Sequence, residues 1–176
     1  MTNSAEIDEV DLLVKKARIA QEKFEKNGSQ QLFDLACQAV GWALMKPEQN
    51  QRLAEIAVRE TGLGNVPDKI KKNHNKTLGL LRDIKDVKSF GHVSEDKEMG
   101  LNTYLRPKGV VAAIVPSTNP LATPVNNIIN ALKCGNSIIV APSPKGVQPF
   151  KELLSFCLLY TSPSPRDVEE SGVAGC

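Results

Sequence analysis

Residues 109–120 read Gly-Val-Val-Ala-Ala-Ile-Val-Pro-Ser-Thr-Asn-Pro, and residues 131–146 read Ala-Leu-Lys-Cys-Gly-Asn-Ser-Ile-Ile-Val-Ala-Pro-Ser-Pro-Lys-Gly. The first contains a short apolar run, Val110 to Val115, bounded by Gly109 and Pro116. A run that is apolar at both parities suits a strand covered on both faces, as in a parallel sheet. The second contains another such run, Ser137 to Ala141, closed by Pro142. Between them Val125, Ile128, Ile129 and Leu132 recur at helical spacing, and the helix is expected to end at Lys133-Cys134-Gly135. Strand, loop, helix, tight turn and strand make a βαβ crossover. In such sheets ligands sit beyond the carboxyl ends of the strands. Here those ends lead into Pro116 to Pro120 and Pro142 to Gly146. No Gly-x-Gly-x-x-Gly separates the first strand from its helix, so the ordinary dinucleotide fingerprint is absent.

Working outward, the first ninety or so residues carry helical periodicity. Ile7, Val10, Leu13, Val14, Ala17, Ala20 and Phe24 mark one apolar face, ended by Asn27-Gly28. Leu32, Phe33, Ala36, Ala39, Val40, Ala43 and Leu44 mark a second, stopped by Pro47. Leu53, Ile56, Ala57 and Thr61 give a third, closed by Gly62 and Gly64. A fourth, more polar helix opens near Pro67-Asp68 and carries Ile70, His74, Leu78, Leu81 and Ile84, with His74 read as a polar helix residue. Asn102 to Arg106 is expected to be a strand, closed by Pro107. A last helix after Gly146 has Phe150, Leu153, Leu154 and Cys157 inward. The fold class is therefore α/β: an N-terminal helical layer leading into a partial, truncated Rossmann-like parallel sheet.

The bulk composition excludes several functions. Of 176 residues, 41% are apolar and 24% charged, the balance of a soluble globular domain. Twenty-two basic against 20 acidic side chains give a net charge of +2, which argues against a nucleic-acid grip. The one basic cluster, Lys69, Lys71, Lys72 and Lys76, reads as a solvated helix face. No run approaches the ~20 apolar residues of a membrane span. The polar, acidic start has no secretory pattern, so a cytoplasmic location is expected. Four scattered cysteines and two histidines form no metal-ligand spacing, and no metal is expected. Cys134 is expected to be a packed structural thiol rather than a nucleophile, since no base neighbours it in sequence.

The two quoted stretches resemble the aldehyde dehydrogenase superfamily. Val-Pro-Ser-Thr-Asn-Pro is similar to its Pro-Trp-Asn-Phe-Pro segment, and Ala131 to Val140 to its Ala-Leu-x-x-Gly-Asn-x-x-Val block. Glu60-Thr61-Gly62-Leu63-Gly64, followed by Asp68-Lys69 and Lys72-Asn73-His74, resembles the CoA-acylating branch, in particular members acting on sulfoacetaldehyde and acetaldehyde. The resemblance covers roughly residues 12–156 and makes residues 1–157 the N-terminal part of an NAD-binding domain.

That resemblance implies a set of roles. NAD, in preference to NADP, would lie against Ile114, Val115, Pro116, Ser117 and Thr118, and against Ala141, Pro142 and Ser143. The preference for NAD follows from Ala141, which stands where hydrolytic members carry a lysine. In the hydrolytic branch the loop asparagine donates to the oxyanion formed at the catalytic cysteine. A gap-free alignment puts Thr118 opposite it, while the acylating pattern offers Asn119, so both stand as oxyanion donors. Lys145 is either a phosphate contact or a solvent-facing lysine. CoA would be the cosubstrate that releases the acyl group, and the whole enzyme a homo-oligomer acting on a small aldehyde, with no nucleic-acid or membrane partner. The nucleophilic cysteine of family chains lies further along than this sequence reaches. The alternatives are a hydrolytic aldehyde dehydrogenase segment and a non-catalytic nucleotide-binding or interaction module.

Residues 158–176 depart from α/β logic. Leu-Leu-Tyr-Thr-Ser-Pro-Ser-Pro-Arg-Asp stands where another apolar strand is expected. It resembles a translated sequencing adaptor, with a natural disordered tail as the alternative, and is set apart from the fold.

Overall fold

The computed structural model describes residues 4–161. Four helices come first: α1 (Ser4–Lys26), α2 (Gln30–Met45), α3 (Pro47–Thr61) and α4 (Val66–Ile84). Strands β1 (Gly91–Asp96) and β2 (Leu101–Leu105) follow, then β3 (Val110–Val115), α5 (Ala122–Lys133), β4 (Ser137–Pro142) and α6 (Val147–Thr161). β3 and β4 pair in parallel, with Val110 opposite Ser137 and Val115 opposite Pro142. β1 and β2 form a separate antiparallel hairpin. Sequence reasoning placed β2 but not its partner. β1 is polar (Gly-His-Val-Ser-Glu-Asp) and pairs across an exposed ribbon, so it carries no apolar signal.

The helix boundaries follow local chemistry. Ser29 Oγ caps α2 by accepting from the Leu32 amide at 3.1 Å. Asn65 Oδ1 caps α4 by accepting from the Asp68 amide at 2.9 Å, with Pro67 in the first turn. Gly62 ends α3 in the left-handed region, φ 67°.

The core lies where α2, α3, α5 and α6 meet. Val40, Ala43 and Leu44 of α2, Leu53 and Ala57 of α3, Val125 and Ile129 of α5, and Leu153 of α6 are buried together. α4 packs on the outside of this group. A Cβ on Gly41 of α2 would lie 2.6 Å from Leu81 Cδ1, so the bare glycine is what lets α4 approach. Burial of this cluster supplies the main stabilising term, at about 25 cal/mol per Å² of apolar surface.

Two helix faces differ from expectation. In α4 the buried residues are Lys69, Asn73 and Thr77, with Leu80, Leu81 and Ile84 partly buried, while Leu78 is exposed, as is the polar His74. The rotation has a polar cause. Asn73 Nδ2 donates to Asn50 Oδ1 at 2.9 Å, and Asn50 Nδ2 donates to Ile70 O at 3.0 Å. This buried amide pair joins α3 to α4 and takes the place of an apolar stripe. In α1 the buried residue is Gln21, and Ile7, Val10, Leu13 and Ala20 are exposed. Gln21 Nε2 donates to Gly135 O at 2.9 Å while its Oε1 accepts from the Ser137 amide. Ser137 Oγ donates to Ala17 O at 3.0 Å. The carboxyl half of α1 is thus docked by polar bonds to the start of β4, and residues 7–13 before it are exposed.

Beside the core lies an open apolar groove of about 810 Å³, lined by Leu32, Leu35 and Ala36 of α2, Leu132 of α5, and Ile139 of β4, among others. Among the described residues no helix is long and apolar enough to cross a membrane. α6 runs through to Thr161, so the boundary expected at residue 158 falls inside a helix. The rest of the tail, residues 162–176, lies outside the described residues.

Candidate functional site

The carboxyl ends of β3 and β4 stand side by side. Ile114 pairs with Ala141 and Val115 with Pro142. The Ser143 amide donates to Val115 O at 3.0 Å, which ties the second loop to the end of the first strand. Of the eight residues expected to meet a cofactor, Ile114 is 89% exposed and Ala141 is exposed beside it. Val115 is the exception: its side chain is 2% exposed and belongs to the interior. Pro116 and Thr118 are exposed, and Ser117, Pro142 and Ser143 half-buried.

The start of β3 is fixed by the second motif. Asn136 Oδ1 accepts from the amides of Lys108 (2.6 Å) and Gly109 (2.9 Å). Gly135 reaches φ 70°, and a Cβ there would lie 2.5 Å from the Phe33 ring. The Gly-Asn pair therefore closes the helix-to-strand turn and aligns β3 in one step.

The turn after β3 meets α4. Lys69 Nζ donates to Thr118 O at 3.2 Å, and Lys72 Nζ donates to Asn119 Oδ1 at 2.8 Å. Lys69 is 7% exposed, so the solvated-face reading of the basic cluster fails for it. Burial, and then the nearby charge of Lys72, lower the Lys69 pKa from its ordinary value. Sequence reasoning missed both lysines as site residues. The available signal was the i, i+3 spacing of Lys69 and Lys72 with Asn73 between a polar stripe and the core. Lys145 is exposed at the start of the short turn Pro144–Gly146.

Cysteine chemistry separates cleanly. Cys37 Sγ donates to Ile129 O at 3.3 Å, and burial pushes its pKa up to about 12. Burial pushes the Cys157 thiol up to about 11. Neither supplies thiolate at neutral pH. Cys134 is exposed, not packed as expected, because it sits at the end of α5 where the chain turns outward before Gly135. Treatment of the folded chain with iodoacetamide at pH 8 is expected to label Cys134 and spare Cys37 and Cys157. Peptide mapping checks this, and equal labelling of Cys37 and Cys134 would contradict the buried placement.

Two buried oxygens near the strand ends lack partners among the described residues: Ser143 Oγ and Asn126 Oδ1. Apart from these, Ile114 and Ala141 leave an exposed apolar surface at the paired strand ends. An exposed apolar surface of that kind suits the rings of a nucleotide.

Comparison with known proteins shows the family. The model of the aldehyde dehydrogenase family matches residues 2–161. The chain is 55% identical to an acylating sulfoacetaldehyde dehydrogenase of Cupriavidus necator over 86% of its own length and 31% of that protein's. It is 41% identical to an acetylating succinate-semialdehyde dehydrogenase of Clostridium kluyveri, over 82% of this chain and 31% of that one. Its fold superposes on an acetylating aldehyde dehydrogenase of Geobacillus thermoglucosidasius with a TM-score of 0.79 and 32% identity, covering 90% of this chain and 35% of the other. The chain thus spans about a third of the length of the relatives it matches. The match runs through all the helices and strands that build the strand-end site, and on that ground the chain belongs to the aldehyde dehydrogenase family.

Proposed function

We propose that this chain is the N-terminal part of the nucleotide-binding domain of an NAD-dependent, CoA-acylating aldehyde dehydrogenase, a cytoplasmic homo-oligomer in its whole form. The observation that carries the reading is the paired strand ends, with Ile114 and Ala141 adjacent and bare and the Thr118-Asn119 turn beside them. The identity of the relatives supports the acylating branch: those acting on sulfoacetaldehyde and succinate semialdehyde are named acylating and acetylating.

In this reading Ile114, Ala141 and Ser143 hold the dinucleotide, with Pro116, Ser117 and Pro142 at the rim. When bound, NAD accepts hydride from the substrate carbon. A similar propionaldehyde dehydrogenase of Rhodopseudomonas palustris is known with bound CoA, which supports CoA as the acyl acceptor. Ala141 brings no cation to the cofactor, which favours NAD over NADP. The chain's own chemical contribution is a donor to the oxyanion that develops on the aldehyde carbonyl. We take Asn119 as that donor. Its Oδ1 accepts from Lys72, which leaves Nδ2 to donate, while Thr118, whose carbonyl accepts from Lys69, keeps a hydroxyl as the alternative donor. A donor placed where charge develops contributes ~3–4 kcal/mol in comparable oxyanion holes.

The test uses the full-length product carrying this segment. With NAD and a short aldehyde it is expected to release NADH only when CoA is present. Equal NADH release without CoA would assign the hydrolytic branch instead. The isolated chain is expected to release none, since burial keeps Cys37 and Cys157 protonated and the exposed Cys134 stands before the start of β4, away from the carboxyl strand ends; NADH above a no-protein control would overturn that.

A further inference from the structure

We infer that Lys69 and Lys72 act together as positioning residues that fix the Thr118-Asn119 turn and, by holding Asn119 Oδ1, leave the Asn119 amide nitrogen as the donor. The inference rests on the reading of Asn119 as the oxyanion donor and adds what makes it one.

Both lysines stand on α4 three residues apart, so they share one face of the helix. That helix is not free to drift. The Asn50–Asn73 amide pair ties it to α3, and Thr77 and Leu81 seat it against Gly41 of α2. The two ammonium groups are therefore presented from a rigid support. Lys69 reaches the turn through its backbone, at Thr118 O, and Lys72 through the next side chain, at Asn119 Oδ1.

The chemistry of an ammonium decides the orientation of the amide. A lysine head has three donors and no acceptor, so only the oxygen end of an amide can face it. With Oδ1 bonded to Lys72, the Nδ2 hydrogens are left to donate elsewhere. Among the described residues that nitrogen donates to no other group. The cation also draws electron density toward Oδ1, which strengthens the N–H donors at the far end of the same amide. Lys69 has no carboxylate within ion-pair distance among the described residues, although it is 7% exposed. Lys72 is exposed and its ammonium stays in contact with water, whereas burying the Lys69 ammonium with a single carbonyl partner is costly. The arrangement makes sense where that one bond fixes a backbone carbonyl next to a working side chain.

The experiment uses the whole 176-residue chain labelled with ¹⁵N in its asparagine side chains. The Asn119 amide resonances are identified by their loss in Asn119→Asp. They are expected to shift in Lys72→Met, to return toward the starting position in Lys72→Arg, and to stay in place in Lys71→Met, an exposed neighbour on the same helix. A Lys72→Met spectrum that matches Lys71→Met at Asn119 overturns the inference. Thermal melts give an independent reading that needs no resonance. Lys72→Met and Asn119→Ala are expected to lower the melting midpoint by less together than the sum of their separate effects. A strictly additive pair also overturns the inference. Both measurements are made without substrate, so a failure of the NADH assay would sink the enzyme reading and leave the clamp standing, and the reverse is equally visible.

Discussion

Gly135→Ala is expected to destabilise the chain by about 2–5 kcal/mol, the largest loss expected from adding a single methyl group. Two separate penalties add. An L-residue at φ 70° pays about 1–2 kcal/mol for the left-handed backbone. The new Cβ would also stand 2.5 Å from Cε2 and Cζ of Phe33 and 2.9 Å from Pro107 Cγ. Overpacking of that kind costs roughly 1–3 kcal/mol. Phe33 has no room to retreat: it is fully buried and stacks against Phe24 and Phe90 at 4.8 and 5.1 Å between ring centroids. The melting midpoint should fall by roughly 5–15 °C for a chain of this size. The same glycine carries the carbonyl that Gln21 bonds and precedes the asparagine that holds the start of β3. Amide exchange in β3 should therefore accelerate along with the global loss. Gly79→Ala is the matched control, since a Cβ there meets nothing within 4 Å. An unchanged midpoint for Gly135→Ala would mean that the α5–β4 turn is not built as described.

What the sequence discloses depends on which interaction positions each residue. Apolar burial writes itself into periodicity, so β3, α5, β4 and the packed faces of α2 and α3 were legible from Val110, Ile129, Ile138, Leu44 and Leu53. Polar docking does not. Gln21, Asn50 and Asn73 are buried because each satisfies a specific partner on another element, and a single sequence does not name that partner. The faces of α1 and α4 were misplaced for that reason. The error had a functional consequence, because rotating α4 onto its amide pair is what carries Lys69 and Lys72 to the turn. The hairpin strand β1 was hidden by its polarity. The side-by-side strand ends at which the site is proposed were legible because they follow from βαβ topology alone. The lysine clamp was not, since it joins residues 47 and 49 positions apart in the chain.

Asp34→Ala is expected to cost about 2–3 kcal/mol, somewhat below the ~3–5 kcal/mol typical when one partner of a fully buried ion pair is removed. Lys133 Nζ lies 2.5 Å from Asp34 Oδ1, and its side chain is only 5% exposed. Asp34 is 30% exposed, so water reaches the pair from one side and tempers the loss. The surrounding bonds leave little scope for repair. Gln30 Nε2 also donates to Asp34 Oδ1 at 3.0 Å, and Ser89 Oγ donates to the carbonyl of Lys133. Removing the carboxylate strands an ammonium in the interior, whereas Lys133→Met removes the charge that needs a partner. The methionine variant should therefore be less destabilised than Asp34→Ala, and the double variant should recover part of the single-site loss. Urea unfolding of the four proteins measures this cycle directly. If Asp34→Ala and Lys133→Met cost the same and add without coupling, the pair is a surface contact and not an internal one. The distinction bears on the site, because Lys133 ends the helix whose next two residues, Cys134 and Gly135, lead into Asn136. An ion pair that holds the end of α5 holds the amide bonds that align β3, and through them the turn on which Asn119 stands.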